Sequence, residues 1–140
     1  MSDQTLLSHL LHRESRSLLQ YVRESYPWAS GKCESARVAV HRIAEAEAAA
    51  LAKLARLMLK KHLTLPPLGS FPDSFTDHNF VSVAYLVPKL ASAQRQGLAD
   101  VERELALVNL PDLKSAIESL RELKRSNLAE LEGLISAMAA

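Results

Sequence analysis

Apolar residues recur every three to four positions along four long stretches of the chain, the pattern of helices that bury one face. From about Asp3 to Tyr26 the stripe is Leu7, Leu10, Leu11, Leu18, Leu19 and Val22, and Pro27 stops it. Pro27 to Cys33 reads as a turn, with Trp28 capping one end of the packed helices. A second helix is expected from about Glu34 to His62 on Val40, Ile43, Ala50, Leu51, Leu54 and Met58. It ends on Lys60, Lys61 and His62, cations that complement the helix dipole, with His62 in a capping interaction. A third runs from about Val81 to Val108 on Val87, Leu90, Ala91, Leu98, Val101, Leu105 and Val108, with Pro88 expected in a first turn or at a kink. After a short turn at Asn109 to Asp112, with Asp112 as N-cap, a fourth extends to about Met138 on Leu113, Ile117, Leu120, Leu123, Leu128, Leu131 and Leu134.

The remaining stretch, Leu63 to Phe80, carries Pro66, Pro67, Gly69, Pro72 and three Phe. A connection this long and this apolar is expected to pack along the outside of the helices. Short turns force antiparallel neighbours, whereas the 18-residue connection can travel the length of the molecule. Two antiparallel helical hairpins joined by one long crossover follow, an all-α fold in a single domain spanning 1–140.

Composition narrows the classes of function. The chain has 140 residues, 25 of them Leu and 20 Ala, with only 5% aromatic residues, so the core is aliphatic and helical. Lys+Arg number 17 against 16 Asp+Glu, which removes the basic footprint of a nucleic-acid binder. One cysteine cannot form a disulfide framework. No apolar run approaches the roughly 20 residues a bilayer crossing needs, and no signal peptide opens the chain, so a cytoplasmic location is expected.

The candidate chemistry lies where polar residues interrupt apolar stripes. Glu14 falls among Leu10, Leu11 and Leu18, and Glu47 among Ile43, Ala44, Ala50 and Leu51. Gln94 is bracketed by Leu90, Ala91, Gly97 and Leu98, Lys124 by Leu120 and Leu128, and Asn127 by Leu123 and Leu131. Glu14 and Glu47 are equidistant from the first turn, about 24 Å down an antiparallel hairpin. Gln94 lies as far from the second turn as Lys124 and Asn127 do, so all five are expected in one polar layer at mid-height.

In this arrangement the chain resembles the ferritin-like di-iron carboxylate family, of bacterioferritin and rubrerythrin type. That family takes one Glu from each of two helices and an ExxH pair from each of the other two. The resemblance places Glu14 at the helix-one Glu and Glu47 at the helix-two ExxH Glu. It then fails residue by residue: Ala50 stands where the His belongs, Gln94 replaces a Glu, and Lys124 with Asn127 (or Asn127 with Glu130) replaces the second pair. No Asp or Glu in the chain has a His three residues later.

The expectation is therefore a ferritin-like protein without the di-iron ligand set or any cofactor, acting as a non-enzymatic scaffold or interaction module. Lys124 would supply charge that a metal otherwise would, or would snorkel to water. The alternative is a divergent iron- or manganese-binding protein, for storage or oxidoreduction, with a non-standard site around Glu14 and Glu47. A third reading makes the polar layer a recognition site for a small molecule. His9, His12 and His41 are expected on the surface, and no nucleophile–base pair or phosphate loop is present. A second apolar stripe on helix two, Ala48, Ala52, Ala55 and Leu59, is to be covered by the crossover or by a second subunit, and a homodimer through helices one and two is expected.

Overall fold

The computed structural model describes residues 2–25, 27–79 and 81–139, the side chain of Lys32 excepted. The expected boundaries at Tyr26 and Phe80 lie outside the described residues. Among the described residues five α-helices form: α1 (Asp3–Ser15), α2 (Leu18–Ser25), α3 (Glu34–Lys60), α4 (Val83–Leu105) and α5 (Pro111–Ala139). Two short 3-10 turns, Gly31–Cys33 and Asp73–His78, lie in the connections.

The first expected helix is broken in two. Arg16 leaves the helical region at φ −114° and ψ 26°, and the Ser17 hydroxyl accepts from the Gln20 amide, capping a new helix. The break sends Arg16 toward the crossover, where its Nε donates to the Gly69 carbonyl at 2.8 Å and its guanidinium lies 4.8 Å from the Phe71 ring centre. Tyr21 on α2 packs edge-on against Phe71 at 5.3 Å and donates to Asn79. The crossover is thus fastened along α1 and α2.

Cross-helix pairs fix directions. Asp3 accepts from the Asn109 and Leu110 amides, and Arg13 meets Glu104, so α1 runs antiparallel to α4. Lys61 pairs with Asp112 and Arg42 with Glu130, so α3 runs antiparallel to α5. Gln20 reaches the Ala44 carbonyl, whereas Val22, Arg23 and Pro27 lie beside Arg37, Val40 and His41, so α2 is antiparallel to α3. A short link makes α4 and α5 antiparallel, and they pack along their lengths. It follows that α3 and α4, at the two ends of the crossover, point the same way.

Local chemistry explains several ends. Pro111 opens α5, so Leu110 is the residue before the helix and its carbonyl accepts from Lys114. Asp112 is therefore not the N-cap expected from the sequence; its carboxylate pairs with Lys61 at 2.6 Å. Pro88 falls beyond the first turn of α4, where both it and Ala84, whose carbonyl it cannot bond, are exposed to water. At the end of α3, His62 adopts a left-handed φ of 61°. The Leu63 amide then reaches the Met58 carbonyl at 2.9 Å and the His62 amide reaches that of Leu59 at 3.0 Å, closing a Schellman motif. Trp28 does not cap the helices: its side chain is 64% exposed, and its backbone forms an isolated parallel bridge with Ser82, the Trp28 carbonyl accepting from Val83 at 2.7 Å.

The aliphatic side chains form two separate cores. One gathers Leu6, Leu7, Leu10, Leu51, Leu54, Met58, Leu105, Leu113 and Ile117. The other gathers Leu18, Val22, Val40, Ile43, Leu86, Leu90 and Leu131. The division falls between Leu11 of α1 and Leu18 of α2, between Ala44 and Leu51 of α3, between Ala91 and Val101 of α4, and between Leu120 and Leu131 of α5.

Candidate functional site

The gap between the two cores is filled by charge. Glu14, Glu47, Gln94, Lys124 and Asn127 are all buried there, none more than 5% exposed. Each occupies a helical position flanked one turn away by core residues, so the helix cannot bury its stripe without turning the polar group inward. An ammonium so placed needs several acceptors, because burial without them costs several kcal/mol by order of magnitude.

Lys124 has them. Its Nζ lies 2.6 Å from Glu14 Oε1, 3.1 Å from Glu47 Oε1 and 3.2 Å from Gln94 Oε1, one acceptor for each N–H. Gln94 Nε2 donates to Glu47 Oε2 at 2.6 Å and to the Lys124 carbonyl at 3.1 Å. Asn127 Nδ2 donates to the same Glu47 oxygen at 2.8 Å. Burial alone would lower the Lys124 pKa, but the charges of Glu14 and Glu47 and their hydrogen bonds outweigh it and hold it above its ordinary 10.5. The ammonium is an interior ion, and the snorkelling alternative does not describe it.

Residues that the stripe pattern had not singled out extend the network. Arg13 donates through Nε to Glu14 Oε2 at 3.0 Å and through both terminal nitrogens to Glu104, at 2.8 Å each. Burial works against its charge, yet Glu104 and Glu14 hold its pKa above the usual arginine range. Glu104 is itself buried, and Asp100 lies 3.7 Å from Arg13 while accepting from Arg103 at 2.7 Å. Gly97 makes room for all this: a Cβ there would sit 3.2 Å from both Glu14 Oε2 and Lys124 Nζ. A signal existed for Glu104, which lies three residues after Val101 and four before Val108 on the core face of α4.

The donor set does not fit a pair of irons. Two carboxylates and two amides line the layer, no imidazole reaches it, and the Lys124 ammonium already sits between the two carboxylates. Among the described residues no three His, Cys, Asp or Glu side chains converge as a metal site. Glu130, the residue for a shifted ExxH register, pairs with Arg42 at the surface. His9 and His12 are exposed, and His41 lies 3.5 Å from Glu45 on the outside of α3.

On one side the layer borders a groove of about 780 Å³ between the α1–α2 break, α4 and the crossover, whose lining includes Glu14, Gln94 and Lys124, each still buried. No family model matches the chain, nor does any curated protein or solved structure. Among the described residues no helix is long and apolar enough to cross a membrane.

Proposed function

We propose that the chain is a metal-free, ferritin-like four-helix bundle that serves as a non-enzymatic scaffold or interaction module. In this reading α1 and α2 together form the first rod, and α3, α4 and α5 form the others. The observation that carries it is the Lys124 ammonium within hydrogen-bonding distance of both Glu14 and Glu47. A fixed cation there supplies the charge that a metal would supply and occupies the space between the carboxylates. The antiparallel pairs and the parallel ends of the crossover support the bundle topology.

Metal analysis of protein purified with iron and manganese present, then dialysed, tests the reading. The expected content is far below one ion per chain. Stoichiometric iron or manganese that disappears in Glu47→Gln would overturn it and favour a divergent metal protein.

Self-association through the first two rods belongs to the same reading, on narrower grounds. Leu65, Pro66 and Leu68 of the crossover lie beside Ala48, Ala52 and Ala55, which leaves Val38 and Leu59 as the large apolar side chains exposed on α3. Sedimentation at micromolar concentration is expected to show a dimer, and a monomer removes that part of the proposal.

A further inference from the structure

On the side of α3 turned away from the crossover, a second groove of about 720 Å³ follows the seam with α5. The pairs Lys61–Asp112 and Arg42–Glu130 set the register of the two helices, placing Ala50 level with Leu123 and Leu57 level with Ala116. One small residue at each level leaves the seam open. Leu57 and Leu123 therefore stay only half-buried, above the buried Leu54 and Leu120. The floor of the groove is aliphatic along its length.

The α3 edge of this groove is a row of cations. Lys53, Arg56 and Lys60 line it, all three exposed, and no acidic side chain does. Spacings of three and four residues keep them on one side of the helix, spread over about 10 Å. Between Glu47 and Asp73 the chain has no Asp or Glu, and among the described residues none of the three cations is paired. On α5, Asp112 is held by Lys61 and Glu122 by Arg121 and Arg125. Glu118 projects from the opposite side of α5 to Ala116, Leu120 and Leu123, and the α5 edge of the groove offers the Ser119 hydroxyl instead.

Such a row stands apart from the rest of the surface, where Arg37 with Glu34, Arg103 with Asp100 and Arg125 with Glu122 pair one turn apart. Lys60 complements the C-terminal dipole of α3, but that effect fades within the last turn and does not account for Lys53 and Arg56. Three aligned cations beside an open leucine seam fit a ligand that carries carboxylates in a row next to an apolar face. A single-headed amphiphile would answer one cation and leave two. A flat bilayer does not reach a concave floor, and a nucleic acid would leave Leu57 and Leu123 wet.

We propose that the groove between α3 and α5 docks an acidic amphipathic helix of a partner protein. The apolar stripe of that helix lies on Leu54, Leu57, Leu120 and Leu123, with Ala50 and Ala116 admitting its larger side chains. Its Asp or Glu residues, at the same spacings of three and four, pair with Lys53, Arg56 and Lys60. The inference rests on the interaction-module reading and names the kind of partner that module takes.

The test uses two labelled synthetic peptides of about 18 residues, long enough to hold a helix, that share one leucine stripe and carry either Glu or Lys beside it. Each is titrated with the full chain at about 0.1 M salt and followed by fluorescence anisotropy. The Glu peptide is expected to bind at least tenfold tighter than the Lys peptide. Lys53→Glu combined with Arg56→Glu, at two exposed positions, is expected to reverse that preference. Ser119→Trp, exposed at the other edge, is expected to weaken the Glu peptide tenfold or more. Should a variant fail to fold, the peptide comparison on the native chain and the other variant decide. Equal binding of the two peptides, no binding at millimolar concentration, or unchanged binding in Ser119→Trp overturns the proposal. So does tighter binding of dodecanoate or of phosphatidylglycerol vesicles, or a dimer that the double charge reversal dissociates, which would seat a second copy in the groove. Metal content separates the two readings: a metal-free chain that ignores the Glu peptide overturns this inference alone, whereas stoichiometric metal overturns the scaffold reading.

Discussion

Replacing Lys124 by Met keeps an unbranched stem as far as Cε and removes the ammonium, which separates the charge from most of the packing. Glu14 loses its 2.6 Å partner, Glu47 its 3.1 Å partner, and the Gln94 carbonyl its 3.2 Å donor. Removing one member of a buried ion pair costs about 3–5 kcal/mol, because the remaining charge is stranded out of water. Set against the roughly 5–15 kcal/mol that holds a domain folded, that is a large share. It corresponds to a fall in Tm of about 10–20 °C for a chain of this size. Urea denaturation followed by circular dichroism gives the free energy directly.

The pH profile adds a second signature. In the native protein the Lys124 pKa is raised on folding, so its stabilisation is fully present below its ordinary 10.5 and is lost only as the pH climbs through the higher folded value. In Lys124→Met, folding brings two carboxylates into the layer without a cation between them, so protons are taken up as the chain folds. The variant is expected to regain stability as the pH falls from about 8 to 5. Adding Glu14→Gln and Glu47→Gln to Lys124→Met removes the stranded charges and is expected to recover much of the loss. A change under about 1 kcal/mol with a flat profile would refute the interior ammonium.

Three further outcomes follow from the same geometry. Gly97→Ala gains helix propensity but places a methyl 3.2 Å from Glu14 Oε2 and Lys124 Nζ, both pinned by other partners, so thermal melts should show a net loss of about 1–3 kcal/mol. His62→Gly relieves a left-handed residue at the end of α3 and should raise stability by about 1 kcal/mol in urea titrations; a decrease would mean the side chain contributes more than the backbone costs. Arg13→Lys keeps one charge but cannot hold Glu14 and Glu104 together, and a loss of about 2–4 kcal/mol that 0.5 M salt leaves unchanged is expected, whereas Arg42→Ala at the exposed Glu130 pair should cost under about 1 kcal/mol.

The rule that located Glu14, Glu47, Gln94, Lys124 and Asn127 needs only helical periodicity and the distance from each turn, and the structure gathers all five in one hydrogen-bonded cluster. The same rule reaches Glu104, which lies nearer the end of α4 and away from the mid-height level. Arg13 could not be read this way, since it stands on the flank of α1 and owes its place to a bidentate partner 91 residues distant. The break at Arg16 and Ser17 was also hidden. Leu18, Leu19 and Val22 continue the apolar stripe past it, and what redirects the chain is the Gly69 carbonyl and the Phe71 ring, far off in sequence. Pro111 was a legible signal for where α5 begins, and it outranks Asp112 because a proline in the first turn puts the cap one residue earlier.

The division of the hydrophobic interior into two compartments restricts how the rods can align. Let α5 slide along its axis by one turn, about 5.4 Å, and Leu120 or Leu128 would face the two glutamates while the lysine entered an aliphatic pocket. Each such misalignment strands charges on both sides of the slip, a penalty of several kcal/mol that leucine-for-leucine exchange elsewhere along the seam would never impose. The ionic girdle therefore acts as a vernier, giving an otherwise repetitive set of leucine and alanine faces a single axial setting.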